Sequence, residues 1–347
     1  MEKLENIDKN MVVQAKVEEE GVAWYDPQKP PFSIHGLMYL DGMYRRMPDE
    51  VAATVSPGVR KLSGRTTGGR VRFRTDSPFV AIRAKMDLIQ ITSPNSSRSG
   101  VQGFDLYMGQ RHIKAFGPPA DMVDGYESKL DLPEKGMQEI TVFFPLYAGV
   151  YTLEIGLQEG CVLEAAEPYP NEKPIVFYGS SITHGAAASR AGNCYTNMVC
   201  RELGRDIWNL GFSGNAKGEV AIAQYIAGLE MECFVYDYDH NAPNVEHLEN
   251  THERMFRIVR AAHPDIPILM MCRPRFAVSE DTRRRMEVIR RTYENAKAAG
   301  DENVYLLTGP ELMAIAGYDG MVDGTHPNDL GFFSMAQAVL KVLKPLF

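Results

Sequence analysis

Four short stretches of the 347-residue sequence set reactive side chains beside turn-forming residues. IVFYGSSITHG, residues 175–185, ends an apolar run at Gly179 and places Ser180 and Ser181 side by side. A serine hydroxyl is a weak nucleophile until a base within hydrogen-bond reach takes its proton, and that base needs a third group to orient it. MVDGTHPND supplies such a pair, with Asp323 three residues before His326. NLGFSGNA carries Gly211 and Gly214 after a second apolar run, where glycines let backbone amides approach a ligand. YDYDHNAPN sets Asp239, His240 and Asn241 after a third run, and the Asn241 amide is a candidate donor to a developing oxyanion. Nucleophile, base, orienting acid and oxyanion donors are the parts of acyl transfer.

Each stretch also has a purely structural reading. Gly179 followed by serine is a helix N-cap combination, and the order is not that of a GxSxG elbow. Asp323 can bond its own turn while Pro327 opens a helix, and Asn241 can simply end a strand. His184 stands about one helical turn past Ser181, and His240 precedes Asn241; both are open to a pocket role or a supporting role behind it. Asp237, Asp239 and His240 are metal-type ligands, but neighbouring strand residues point to opposite faces, so no metal is expected.

The elements that must position these residues change character along the chain. Between about 30 and 160, short apolar runs are punctuated by glycine and proline, with no helical pattern three turns long. In GGRVRFRTDSPFVAIRAKMD, Val71 and Phe73 alternate with arginines, and Val80, Ile82 and Ala84 follow the turn at 76–78 with the same period. These runs predict a strand hairpin. QEITVFFPLYAGVYTLEIGL predicts a second pair about the turn at 145–149, and HIKAFGP a further strand. Two half-apolar sheets must cover each other, giving a β-sandwich or jelly roll. Beyond AAEPYPNEKP, strands and helices alternate from IVFYG to NDLGFFSMAQAVLKVL, predicting a parallel sheet with helices on both faces. Ligands of such sheets gather outside the C-terminal strand ends, where all four stretches fall. The expected domains are 1–168 and 169–347.

Composition sets limits. The 37 basic and 45 acidic residues give a net charge of −8, which lends no support to nucleic-acid binding. No run approaches the roughly 18 apolar residues of a membrane span. MEKLENIDKNMVVQ lacks the pattern of a secretory leader, so a cytoplasmic protein is expected, with secretion open if a leader has been removed. Five scattered cysteines form no CxxC pair and predict neither a zinc site nor a disulfide framework.

The motifs resemble the SGNH, or GDSL-like, serine hydrolases. Gly179-Ser180-Ser181-Ile182 matches the first block, with the nucleophile on Ser181 and Ser180 replacing the usual aspartate. Asn209 to Gly214 matches the second, with Gly214 as the oxyanion-hole glycine. Asp239-His240-Asn241-Ala242 keeps the asparagine of the third block but not its neighbours, and Asp323 with His326 matches the fourth. Gly103-Phe104-Asp105-Leu106-Tyr107 looks like the GxDLY signature of an N-terminal domain that precedes one subgroup. The resemblance implies a flavodoxin-like three-layer α/β/α hydrolase domain behind a β-sandwich. It also implies an oxyanion hole from the Ser181 and Gly214 amides with Asn241, and no cofactor. The activity it implies is hydrolysis of small acyl, especially acetyl, esters on small molecules or saccharides. Tyr107, Tyr39, Tyr44 and Trp24 are candidate sugar-stacking residues, the ordinary alternative for such aromatics being the core or a domain interface. Acyl transfer to another acceptor is the neighbouring chemistry, and an inactive carbohydrate-binding or structural protein is the reading from a different class.

Overall fold

A computed structural model describes residues 4–8, 13 and 16–347. Most of the stretch 1–14 read for a leader lies outside the described residues. In the C-terminal half, five parallel strands take the spatial order Ile207–Gly211, Ile175–Gly179, Cys233–Asp237, Ile268–Met271, Val304–Leu307. Numbered along the chain this is 2-1-3-4-5, the flavodoxin-like order, in which the crevice for ligands opens between the first and third strands. Alternation along the first strand feeds both layers. Ile175 and Phe177 pack with the helices Tyr195–Leu203 and Asp329–Leu343. Val176 and Tyr178 pack with Val220–Ala227, Val245–Ala262 and Glu280–Ala298. These are the elements the apolar spacing predicts.

The N-terminal half is a sandwich of two antiparallel sheets. One runs Val22–Tyr25, Val150–Gln158, Phe79–Met86, Gly125–Asp131. The other runs Leu163–Glu164, Arg70–Thr75, Gln138–Phe143, Phe104–Met108, Arg111–Phe116, with Ser33–His35 also paired to Arg70–Thr75. Val71, Phe73, Ile140 and Val142 from one sheet meet Val80, Ile82, Leu153 and Ile155 from the other in a single core.

Both expected hairpins are corrected. Arg70–Thr75 and Phe79–Met86 lie in different sheets, as do Gln138–Phe143 and Val150–Gln158. A period of two states that one face is covered, and it is the same whether the next strand returns beside its neighbour or crosses to the opposite sheet. The first crossing is tied by buried Ser77, whose hydroxyl donates to the Phe79 carbonyl at 2.7 Å and accepts from the Gln158 amide at 3.0 Å. The second, over 144–149, passes the end of the sandwich that faces the other domain. There the Leu146 carbonyl accepts a 2.9 Å hydrogen bond from His184 Nε2.

The GxDLY stretch joins the two domains. Phe104 and Leu106 point into the sandwich core, while Asp105 and Tyr107, two apart on the same strand, point the other way. Asp105 accepts from Arg190 at 2.7 Å, from the Gly192 amide at 2.8 Å and from His112 at 2.7 Å. The Tyr107 hydroxyl accepts from Arg190, and the Arg201 guanidinium lies 4.3 Å over its ring. Arg46, fully buried, reaches from the sandwich side to the carbonyls of Asn209 and Gly211 at 2.8 and 2.7 Å. It therefore holds the strand that leads into the second glycine stretch.

Candidate active site

Ser180 and Ser181 leave the first strand in different roles. Ser180 is buried and caps the short helix Ser181–His184, its hydroxyl accepting from the Ile182 amide at 3.1 Å. Ser181 opens that helix, so its amide is among the donors an α-helix leaves without an intrahelical acceptor, and its hydroxyl faces a cavity. The turn is seated on a carboxyl group. Asp237, at the end of the third strand, accepts from the Thr183 hydroxyl and, at 3.3 Å, from Tyr195. A Cβ on Gly179 would stand 1.7 Å from Asp237 Oδ1, so glycine here makes room for the carboxyl. Burial raises Asp237 to about 7 against the hydrogen bonds from Thr183, the Ser180 amide and Tyr195.

Ser181 Oγ lies 2.9 Å from His326 Nε2, and His326 Nδ1 lies 2.9 Å from Asp323 Oδ2. The other oxygen of Asp323 accepts the Thr325 and His326 amides at 2.9 and 2.8 Å. One oxygen of Asp323 therefore bonds its own turn and the other the His326 ring. Desolvation works against ionisation of Asp323, but the bonds from the His326 ring, the His326 amide and the Thr325 amide outweigh it and hold the carboxylate at about 2.

Gly214 sits in the tight turn after the second strand, closed by the Asn215 amide donating to the Phe212 carbonyl at 2.8 Å. Its φ of 71° is left-handed, and a Cβ would meet nothing within 4 Å, because that side faces the cavity. Gly211 plays a different part from the ligand approach expected of it. A Cβ there would strike the His184 amide nitrogen at 2.3 Å, so its missing side chain admits the Ser181 helix. Asn241 Oδ1 accepts from the Ala216 amide at 3.3 Å, leaving the side-chain NH2 as its donor, and Asn241 lines the same cavity. Arg273 clamps the loop by donating to Asp239 at 2.6 Å, and Arg285 donates to the Asp239 and Ala242 carbonyls. Asp237 and Asp239 are thus committed to separate partners.

The two flanking histidines do not line the cavity. His184 is fully buried and stacks on Tyr147, with ring centroids 4.2 Å apart. Burial first, then the charge of Arg46, holds it well below its ordinary value and so neutral. His240 is likewise lowered by burial and by Arg273 and Arg275, and its Nε2 is buried with no hydrogen-bond partner among the described residues.

The cavity encloses about 560 Å³ and brings together Ser181, Gly214, Asn241, Asp323 and His326. One wall comes from the other domain, through Ile89, Ile91, Val101 and Tyr147. Tyr147 shares a 2.7 Å hydrogen bond with Ser213, next to Gly214. Sequence reasoning missed this wall, and the only local signal is an aromatic residue within the turn PLYAG. The aromatics singled out earlier lie elsewhere. Tyr107 is at the domain interface, Tyr44 is fully buried, Tyr39 packs edge-on against Tyr44, and Trp24 lies under Arg83.

Comparison with known proteins agrees with this fold. Residues 172–344 match the GDSL-like lipase/acylhydrolase family, and residues 22–163 match the GxDLY domain, described as the N-terminus of SGNH-hydrolase-type esterases. A solved structure from Bacteroides ovatus, described as a GDSL-like lipase, is 28% identical. It aligns over 94% of this chain and 98% of its own with a TM-score of 0.82. The salicylyl-acyltransferase SsfX3 from a tetracycline biosynthetic pathway is 21% identical over 95% of this chain and 98% of its own, with a TM-score of 0.75. The acetyl xylan esterase Est2A from the rumen bacterium Butyrivibrio proteoclasticus shares the fold at 13% identity over 94% of this chain and 98% of its own, with a TM-score of 0.61. No curated protein matches the sequence.

Proposed function

Because this chain belongs to the GDSL-like lipase/acylhydrolase family, with a GxDLY domain ahead of its SGNH esterase domain, we propose that Ser181 is the nucleophile of an esterase acting on small acyl esters, acetyl esters of saccharides among them. The observation that carries this reading is the unbroken relay from Ser181 through His326 to Asp323, opening into one cavity with Gly214 and Asn241.

Ser181 Oγ attacks the ester carbonyl carbon as its proton passes to His326 Nε2. Asp323 keeps Nδ1 protonated and stabilises the imidazolium that forms. The tetrahedral oxyanion receives hydrogen bonds from the Ser181 and Gly214 amides and from Asn241 Nδ2, and removal of one such donor typically costs about 3–4 kcal/mol of transition-state stabilisation. Collapse breaks the carbonyl-carbon bond to the alkoxy oxygen, and His326 returns the proton to the leaving alcohol. A water molecule, deprotonated by the same histidine, then attacks the acyl-serine, and the acid leaves with Ser181 restored. The chemistry calls for no metal or organic cofactor.

The test is a panel of acetylated saccharides and short- and long-chain acyl esters, assayed with wild type and Ser181→Ala. Hydrolysis of short esters by wild type alone supports the reading, and undiminished hydrolysis by folded S181A removes it. Supplying alcohol acceptors in the same panel distinguishes hydrolysis from acyl transfer. A wild-type protein that turns over no ester but retains a glycan is a binding protein instead.

A further inference from the structure

The cavity is much larger than an acetyl group needs. At about 560 Å³ it falls in the range of sites that enclose whole small molecules. Its ionisable lining residues are Asp323, His326 and Tyr147, with no lysine or arginine among the described residues that line it. A carboxylate or phosphate on the substrate would therefore be desolvated there with no lysine or arginine in the lining itself, Arg275 standing behind it as a donor to Thr325 at 3.5 Å. Away from Ser181 the hydrocarbon of the wall comes from Ile89, Ile91, Val101, Ala186 and Ala187, with polar side chains of the segment 90–96 interleaved.

Tyr147 stands in this wall as a fixed plate. Its hydroxyl is held by Ser213 at 2.7 Å. One face is covered by the neutral His184 ring at 4.2 Å and 14°, and His184 is itself anchored to the Leu146 carbonyl at 2.9 Å. With one face and the hydroxyl occupied, what Tyr147 offers the cavity is the rest of its ring. A side chain immobilised at both ends loses little freedom on binding and packs best against another flat or chair-shaped ring. Because Ser213 adjoins Gly214, a ring held on Tyr147 lies beside the oxyanion donors.

We infer that the site selects uncharged esters bearing a six-membered ring, which packs on Tyr147 beneath the segment 89–96 of the N-terminal domain. This rests on the esterase reading above and adds the substrate class. The ring belongs either to the acyl group or to the alcohol, and both arms are tested with simple probes. Methyl cyclohexanecarboxylate against methyl acetate places it on the acyl side, and cyclohexyl acetate against ethyl acetate places it on the alcohol side. In wild type, kcat/KM in one arm favours the ring ester by at least about ten-fold, the discrimination an apolar pocket gives for even a small hydrocarbon difference. The preference falls toward unity in Tyr147→Ala and persists in Tyr147→Phe, which keeps the ring without the hydroxyl. Competitive inhibition of wild type by cyclohexanol or cyclohexanecarboxamide, each against its acyclic counterpart, provides a readout independent of any variant. Wild type that turns over the acyclic esters as well as both ring esters, or a ring preference unchanged in folded Y147A, overturns the inference and leaves the esterase reading standing. If no ester in either arm is hydrolysed and a phosphonate leaves Ser181 unlabelled, the esterase reading fails and takes this inference with it.

Discussion

At the scale of single residues, the proposed reaction separates groups that act on substrate from groups that hold them. Asn241 is placed to act, since its oxygen is satisfied by the Ala216 amide and its NH2 is the remaining donor. Asn241→Ala is expected to lower kcat by about 10²–10³-fold with KM little changed, because the donor is used where charge develops; a change confined to KM would mean a ground-state contact. Asp237 is a positioning residue, joined through Thr183 to the turn that carries Ser181. Its raised value, about 7, means that the folded protein keeps a proton the unfolded chain releases near pH 4. The Asp237 contribution to stability therefore falls as pH rises from about 4 to about 7, by at most about 1.4 kcal/mol per pH unit, and is flat above, while His184, His240 and His252, held neutral by burial, contribute in the opposite sense up to about pH 6.5. Asp237→Asn carries no such proton, so the stability of wild type relative to D237N, read from urea midpoints, is expected to fall between about pH 4 and 7 and to be constant above; a difference that does not change with pH would contradict the raised Asp237. A wild-type slope that survives in D237N belongs to another group.

At the scale of elements, the site depends on which strand exits meet. The alternation of apolar runs from Ile175 onward suffices to predict the parallel sheet, because buried parallel strands and amphipathic helices carry different periods. Glycine, serine and asparagine are legible for the same reason, as each interrupts an apolar run where such a sheet ends, and the Asp-Gly-Thr-His turn is legible because it precedes the last helix. Other features were not legible. The crossings at 76–78 and 144–149 have the same alternation as hairpins, so nothing local says that 144–149 will bring Tyr147 to the site. Asp237 reads as one more acidic residue until its carboxyl is found in the space left by Gly179. The GxDLY stretch is readable as a motif, but its purpose depends on Arg190, more than eighty residues away. Asp105 is 1% exposed and serves three donors. Asp105→Ala strands Arg190 and the Gly192 amide, and is expected to destabilise the protein by about 3–5 kcal/mol in thermal or urea unfolding. A loss below about 1 kcal/mol would show that the interface does not depend on this carboxylate.

At the scale of the whole molecule, the N-terminal sandwich is part of the site's construction. It supplies one wall of the cavity, and through Arg46 it holds the strand that leads to Gly214. No helix among the described residues is long and apolar enough to cross a membrane. The central claim is that two adjacent serines divide their labour, Ser181 attacking while Ser180 caps the helix. Reaction of the full-length protein with a fluorophosphonate, followed by peptide mass spectrometry, tests this most directly. The account predicts a single stoichiometric adduct on Ser181, absent after Ser181→Ala and greatly slowed in His326→Ala, with Ser180 unmodified. An adduct on Ser180, or an esterase-active protein whose Ser181 stays unmodified while its activity is blocked, would contradict it.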